Sequence, residues 1–347
     1  MVVLGENIGE RMDRFVQTKS RWMIDPIGGS GYELLTSTTD SDRLTLQKEL
    51  DQSQHKCSNF FYGIISQNGF GSHWHTLGLG LAHTLHYNMT LFTVKTYKNF
   101  IPLTTCTRTN LDRAFSEYPP ETDFSRWDSS TINFKSVGNE HGDVHALMAN
   151  VNIINPEFQH RGHFWWRSML TYYAIRPNFK IREMMRQSSP VATPCISIHV
   201  RHSDKLEEAP PIALSEYMKH AYQVKEKTGI SNIYLMSDDQ QVIEGSKDFP
   251  DFQFRYLDMP RSNRGWLNDR KEGMSMDSME RNFLIDILSA AQCQHMVLTY
   301  SSNVGRLMAE IAFALQDTEP VVVSLDVPNW VASNPTTKFA THTPNKI

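Results

Sequence analysis

A chain of 347 residues, 40% hydrophobic and 21% charged, has the composition of a soluble globular protein, long enough for a large core and two ordinary domains. Its net charge of −4 offers no basic field to nucleic acid, so an anionic ligand must be held by local groups. No apolar run approaches the ~18 residues of a membrane span, and Met1-Val-Val-Leu-Gly-Glu6 is too short in apolar content, and acidic too soon, for a signal peptide.

Residues 1–56 read as a polar segment. A helix is expected over Met12 to Met23, then a linker, Ser37-Thr-Thr-Asp-Ser41, ending in a helix cap, and a short helix from Thr45. A first α/β domain is expected over 57–190. It opens with a strand, Phe60 to Ile65, and passes through Asn68-Gly-Phe-Gly71 into a helix with Trp74, Leu77, Leu81 and Leu85 on one face. A strand at Thr90 to Val94 completes a right-handed βαβ unit. Ile101 to Val151 lacks periodicity and reads as a long loop, the kind that is functional or wraps another surface. Helices follow from Phe164, ended by Arg176-Pro177, and over Phe179 to Arg186. The Ser/Pro-rich run 188–194 marks a domain boundary.

Over 191–328 strands and helices alternate. Strands are expected at Ile196 to Val200, Ile233 to Met236, Phe252 to Leu257, Met296 to Tyr300 and Pro320 to Leu325. Helices are expected at Leu214 to Lys227, Gln241 to Gly245, Ser278 to Cys293 and Val304 to Gln316. The alternation predicts a doubly wound parallel sheet, a Rossmann-like second α/β domain. Residues 329–347, rich in Pro, Asn and Thr, read as a poorly fixed tail.

Of the four cysteines, none forms a CxxC pair, which argues against zinc. Cys195 and Cys293 read as small buried residues, whereas Cys57 and Cys106 flank one unit and could bridge it in an oxidising compartment. Asn88-Met-Thr90 fits the glycosylation triplet, which is common by chance.

Three strand ends carry polar clusters that a parallel sheet brings to one edge. The first is Arg201 to Glu208, where Arg201 comes straight off a strand and its fork suits a phosphate; the plain alternative is a solvated, salt-bridged loop. The second is Ser237-Asp-Asp239, which reads as acids orienting basic residues or, less simply, as metal ligands. The third is Thr299 to Asn303, where Ser301 or Ser302 serves as a helix cap, or the first-turn N–H groups hold a phosphate oxygen. Gly69 and Gly71 in the loop before the Trp74 helix answer to either a tight turn or a phosphate cradle. Asp286, inside an apolar helical run, needs a partner. Arg281, His199 or the N–H edge of a guanine would each serve.

Together, Ile198-His-Val-Arg-His-Ser-Asp-Lys205, Glu216-Tyr-Met218, Tyr234-Leu-Met-Ser-Asp-Asp239, Leu284-Ile-Asp-Ile287 and Thr299-Tyr-Ser-Ser-Asn-Val-Gly-Arg306 resemble the α-1,6-fucosyltransferases. These enzymes fucosylate the N-glycan core GlcNAc, and bacterial relatives fucosylate chitin oligosaccharides. Gly69-Phe-Gly-Ser-His-Trp-His75 is similar to the family's glycine loop, and Trp165-Trp166 with Tyr172 through Arg176-Pro177 to the helix before its donor domain. The resemblance covers residues 57 to 326. It implies a GT-B-like pair of α/β domains and an inverting displacement that uses GDP-fucose with neither metal nor other cofactor. It implies that Asp286 and His199 read guanine and that Arg201, with His202 beside it, holds the β-phosphate. Ser302, next to Ser301, and the Gly71–Ser72 backbone complete the diphosphate site. Glu208 matches the catalytic base, flanked by Lys205 and Asp204 and near Asp238 and Asp239.

Three departures matter. His202 stands where the family has Arg, which makes that charge titratable near neutrality. The chain ends soon after Val323-Ser-Leu-Asp326, short of the family's SH3-like barrel, and it shows no anchor or coiled coil. The resemblance therefore bears on the donor more than on the acceptor. Cys57 and Cys106 match a disulfide of the animal enzymes, implying a Golgi or secretory lumen. The expected partners are a nucleotide sugar and a glycan, with a homodimer one alternative for assembly. Rival readings keep the donor but change the acceptor to a protein hydroxyl or other sugar, or make the protein a silent GDP-sugar or glycan binder.

Overall fold

The computed structural model describes residues 40–64, 70–93, 98–107, 109–110, 133–137, 153–187, 192–202, 211–261, 275–316, 318–331 and 341–342. Asp40 caps the first helix, α1 (Ser41–His55), accepting from the Asp42 and Arg43 amides at 3.0 and 3.4 Å. Strand β1 (Phe60–Ile64), helix α2 (Phe70–His86) and strand β2 (Thr90–Thr93) follow, with β1 and β2 paired in parallel. The span expected as loop contributes a strand, β3 (Asn133–Val137), antiparallel to β1. Asn-Phe-Lys-Ser-Val is too short and too polar to declare itself; its partner supplies the ladder. The helix expected over Met12 to Met23 lies outside the described residues.

A 3₁₀ turn (Pro156–Arg161) leads into α3 (Gly162–Ile175), which is buried along nearly its whole length, and α4 (Phe179–Gln187) follows. The second half contains β4 (Ile196–Val200), α5 (Leu214–Thr228), β5 (Asn232–Ser237), α6 (Gln240–Gly245), β6 (Gln253–Arg255), α7 (Met276–Ala290), β7 (His295–Leu298), α8 (Asn303–Gln316) and β8 (Val321–Ser324). Its five strands are all parallel and lie in the order β6-β5-β4-β7-β8, so strand order reverses direction between β4 and β7. In such sheets the crevice at the reversal, beyond the carboxyl ends, is where ligands enter.

Both faces of this sheet are covered, so all five residues of β4 are buried although Ile196, Ile198 and Val200 alternate with Ser197 and His199. Ile196, Ile198, Val200, Ile233 and Leu235 pack with Leu214, Tyr217, Met218 and Val224 of α5 on one side. Tyr234, Met236, Met296 and Leu298 face α7 and α8 on the other. That second cluster continues without a break through α2, α3 and α1, so α8 of the second half and α2 and α3 of the first share one core. Arg43 ties α1 to the carboxyl end of α8, donating to the Ala314 and Phe313 carbonyls at 3.1 and 3.3 Å.

Two further expectations change. Cys195 and Cys293 are not merely small and buried: they form a disulfide across 98 residues, and Cys57 and Cys106 form another. In the carboxyl-terminal stretch the described residues are 329–331 and 341–342. Trp330 is fully buried, and β9 (Trp330–Val331) pairs with β10 (Thr341–His342). One aromatic side chain in a Pro/Asn/Thr-rich run outweighs the composition around it.

Candidate active site

The crest of β4 delivers Arg201 and His202 to the reversal point. Arg201 forms an ion pair with Asp238, which follows β5 and also accepts from the His202 backbone amide at 3.0 Å. The His202 ring is held at both nitrogens, Nδ1 2.9 Å from Asp239 Oδ2 and Nε2 3.0 Å from the Ile212 carbonyl. Burial alone would lower this imidazole, but the two acceptors and the nearby Asp238 raise it above its ordinary value. Asp239 also caps α6 through the Gln241 amide at 2.8 Å, so both acids of the pair are engaged.

On the α7 side of the sheet, Asp286 is buried and does not pair with Arg281 or His199, the protein partners the sequence offers. Its Oδ1 accepts from the Tyr234 hydroxyl at 2.7 Å, and its Oδ2 finds no hydrogen-bond partner among the described residues. Burial raises this carboxyl to about 7 against the pull of Tyr234 and Arg261. His199 lies on the same face, since it registers with Met236 as Ser197 does with Tyr234. Burial holds its imidazole well below the usual range, and Nδ1 too has no described partner. Two buried polar groups with unused capacity on one face are what a polar aromatic edge requires.

Beyond β7, the turn Thr299 to Ser302 enters α8. The amides of Tyr300 and Ser301 point to Asp326 Oδ1 at 3.0 and 3.4 Å, which leaves Ser302, buried, at the helix entrance. Gly305 has no alternative here, because a Cβ on it would lie 2.2 Å from the Thr299 carbonyl oxygen. Gly71 presses the first turn of α2 onto the first turn of α8. A Cβ there would lie 2.8 Å from the Asn303 carbonyl carbon and 2.9 Å from the Val304 nitrogen. Two helix N-termini, each carrying the positive end of its dipole, thus meet beside Ser72 and Ser302.

The geometry gathers Arg201, His202, Asp238 and Asp239 into one cluster, and Gly71, Ser72, Ser301 and Ser302 around the paired helix ends. Asp204, Lys205 and Glu208 lie outside the described residues, as does Gly69. Sequence reasoning gives Tyr234 and Asp326 no role in the site, and it includes Asn303 in the third polar cluster without assigning it a task. Only the strand parity of Tyr234, one pleat from Met236, hints at its inward aim.

Residues 156–327 match the sequence model of the α-(1,6)-fucosyltransferase N- and catalytic domains. That segment spans the whole five-stranded sheet and its reversal point. It belongs to the α-(1,6)-fucosyltransferase family. An α-(1,6)-fucosyltransferase of Drosophila melanogaster is 28% identical over 158 residues, covering 42% of this chain and 25% of that protein. The chain thus spans about a quarter of the length of this family relative. Among solved structures, NodZ α-1,6-fucosyltransferase co-crystallised with GDP is similar at 15% identity and a TM-score of 0.41, over 77% of this chain and 95% of that one. NodZ from Bradyrhizobium is similar at 14% identity and a TM-score of 0.37, over 77% and 94%.

Proposed function

We propose that this chain is an inverting, metal-independent fucosyltransferase that moves fucose from GDP-fucose to a GlcNAc-containing glycan through an α-1,6 linkage. The observation that carries the proposal is the reversal point between β4 and β7. Within the family segment, it presents a guanidinium held by an acid beside a turn that enters a helix N-terminus. Asp286 Oδ2 and His199 Nδ1 take the guanine edge, Asp286 as acceptor of its N–H groups. Arg201 and the N–H groups of the Gly71–Ser72 and Ser302 turns receive the diphosphate, with His202, held by Asp239, adding a second charge at the crest.

In this reading Glu208 takes the proton of the acceptor hydroxyl as the anomeric carbon becomes oxocarbenium-like, with Lys205 and Asp204 beside it. The cations at the crest stabilise the departing diphosphate, the role a metal ion would otherwise fill. Asp238 and Asp239 are then orienting acids rather than metal ligands, because each already holds a basic side chain. The two-domain, GT-B-like division near residue 191, with the acceptor in the cleft, belongs to the same proposal. Two disulfides are in keeping with a secretory lumen.

Mass spectrometry of the protein with GDP-fucose, EDTA, chitin oligosaccharides and N-glycans tests the reading. A gain of one deoxyhexose on any acceptor is expected. Activity abolished by EDTA and restored by a divalent ion would overturn metal independence, and absence of both transfer and GDP binding would overturn the donor assignment. Glu208→Gln is expected to bind GDP as the parent does and to lose transfer by about two to four orders of magnitude. Turnover near the parent level would assign the base to another acid.

A further inference from the structure

The contact between α2 and α8 beside the helix N-termini is maintained by a polar relay that the chemistry described above does not use. Asn303, the first residue of α8, reaches across to α2. Its Oδ1 stands 3.3 Å from His75 Nδ1 and accepts from the Arg306 guanidinium. Arg306 in turn donates to the Tyr300 carbonyl at 2.6 Å, which fixes the turn between β7 and α8. On the far side of the ring, His75 Nε2 stands 3.2 Å from Glu310 Oε1, and Glu310 also accepts from Trp330 Nε1 at 3.0 Å. Burial would raise the Glu310 carboxyl, but His75 and Arg167 outweigh it and hold it at about 2, an ionised anchor. Arg167 of α3 closes the frame by donating to the His75 carbonyl at 2.9 Å.

We propose that His75 is a positioning residue for the diphosphate cradle. Through Nδ1 it fixes Asn303 at the first residue of α8, and with it the separation of the two helix N-termini. The inference rests on the donor reading above. Its logic is that the first-turn amides of two helices cannot bond one another, so nothing in either backbone sets their spacing. The Gly71 contact sets a closest approach, and the His75–Asn303 link prevents the ends from parting. A merely structural His75 would owe its importance to the other nitrogen, the one that faces the buried Glu310 carboxylate, because removing one of the few partners of a buried charge costs more than a lost neutral hydrogen bond.

That difference gives two substitutions with opposite expectations. His75→Asn places an amide nitrogen near the position of Nδ1 and abandons Glu310. His75→Gln reaches the position of Nε2 and abandons Asn303. GDP binding by calorimetry and melting temperature are measured on both, together with Asn303→Ala, which keeps the Cβ that Gly71 touches. If His75 positions the cradle, His75→Gln and Asn303→Ala weaken GDP about tenfold, one hydrogen bond's worth of ordering. His75→Asn stays within about threefold of the parent although it melts lower than His75→Gln. GDP affinity that instead follows the melting temperatures, with His75→Asn the weaker binder, would overturn the proposal. If the parent itself fails to bind GDP, the donor reading falls first and this inference falls with it.

Discussion

Asp286 is where the sequence pays most for its site, and Asp286→Asn exposes the cost. The carboxyl is buried and titrates at about 7 instead of the ordinary 3.8, so above neutrality the fold carries an ion that it barely compensates. A group whose pKa is higher in the folded than in the unfolded state contributes stability at low pH, and that contribution is lost as pH rises through the folded value. By linkage, the penalty reaches a ceiling of about 4 kcal/mol near pH 8 and remains under about 2 kcal/mol near pH 5. The amide resembles the protonated acid: Oδ1 still accepts from Tyr234, and no charge is buried. Asp286→Asn should therefore melt above the parent at about pH 8, with the advantage shrinking by roughly half or more toward about pH 5. In the same protein, an N–H donor now faces the N–H edge of guanine, and GDP affinity should fall by about two orders of magnitude, the worth of two hydrogen bonds to a charged acceptor. Thermal melts across that pH range and GDP calorimetry at neutral pH measure both. A variant less stable than the parent at every pH would show that the carboxylate is compensated in the fold and would refute the reasoning. Stabilisation with GDP affinity intact would remove Asp286 from the site.

His202 works in the opposite sense. Its raised pKa means that its charge, and the contacts with Asp239 and Ile212 that depend on it, are present in full below the ordinary value near 6.5 and are lost as pH rises through the folded one. GDP affinity in the parent should accordingly decline on the alkaline side, and His202→Gln should flatten that limb; an unchanged alkaline limb in the variant would clear His202 of the role. Gly71→Ala drives a methyl into the Asn303 backbone and should cost about 1–3 kcal/mol of stability while weakening GDP. Parent-like GDP binding would show that the two helix N-termini do not form one cradle. Replacing both Cys195 and Cys293 by Ala removes a link across 98 residues and should cost about 4 kcal/mol, read without reductant as a lower melting temperature, and with a smaller further drop on reduction, which then breaks only the Cys57–Cys106 bridge. Equal melting of parent and variant would count against the bridge.

What was legible in the sequence is what each segment dictates by itself. Ile196 to Val200 announces a strand because its β-branched residues recur at every second position, and Arg201 announces a crest because charge follows that run at once. Pairings between distant segments have no such local signature. Tyr234 and Asp286 are 52 positions apart, and only the parallel register of β5 beneath α7 brings them together. Cys195 and Cys293 look like ordinary core residues until the sheet places the start of β4 beside the end of α7. Trp330, in a run whose composition suggests a loose tail, is fixed by Glu310 of α8, a carboxylate whose need for partners no periodicity reveals. The misreadings share a cause. Sequence rules price each residue in its own segment, and they fail where a residue is chosen to meet another segment. A buried acid with one unused oxygen, a histidine held at both nitrogens and an asparagine that reaches across to another helix are all poor local choices. On the donor reading proposed above, each becomes reasonable once a nucleotide, or the groups that grip one, is counted among its neighbours.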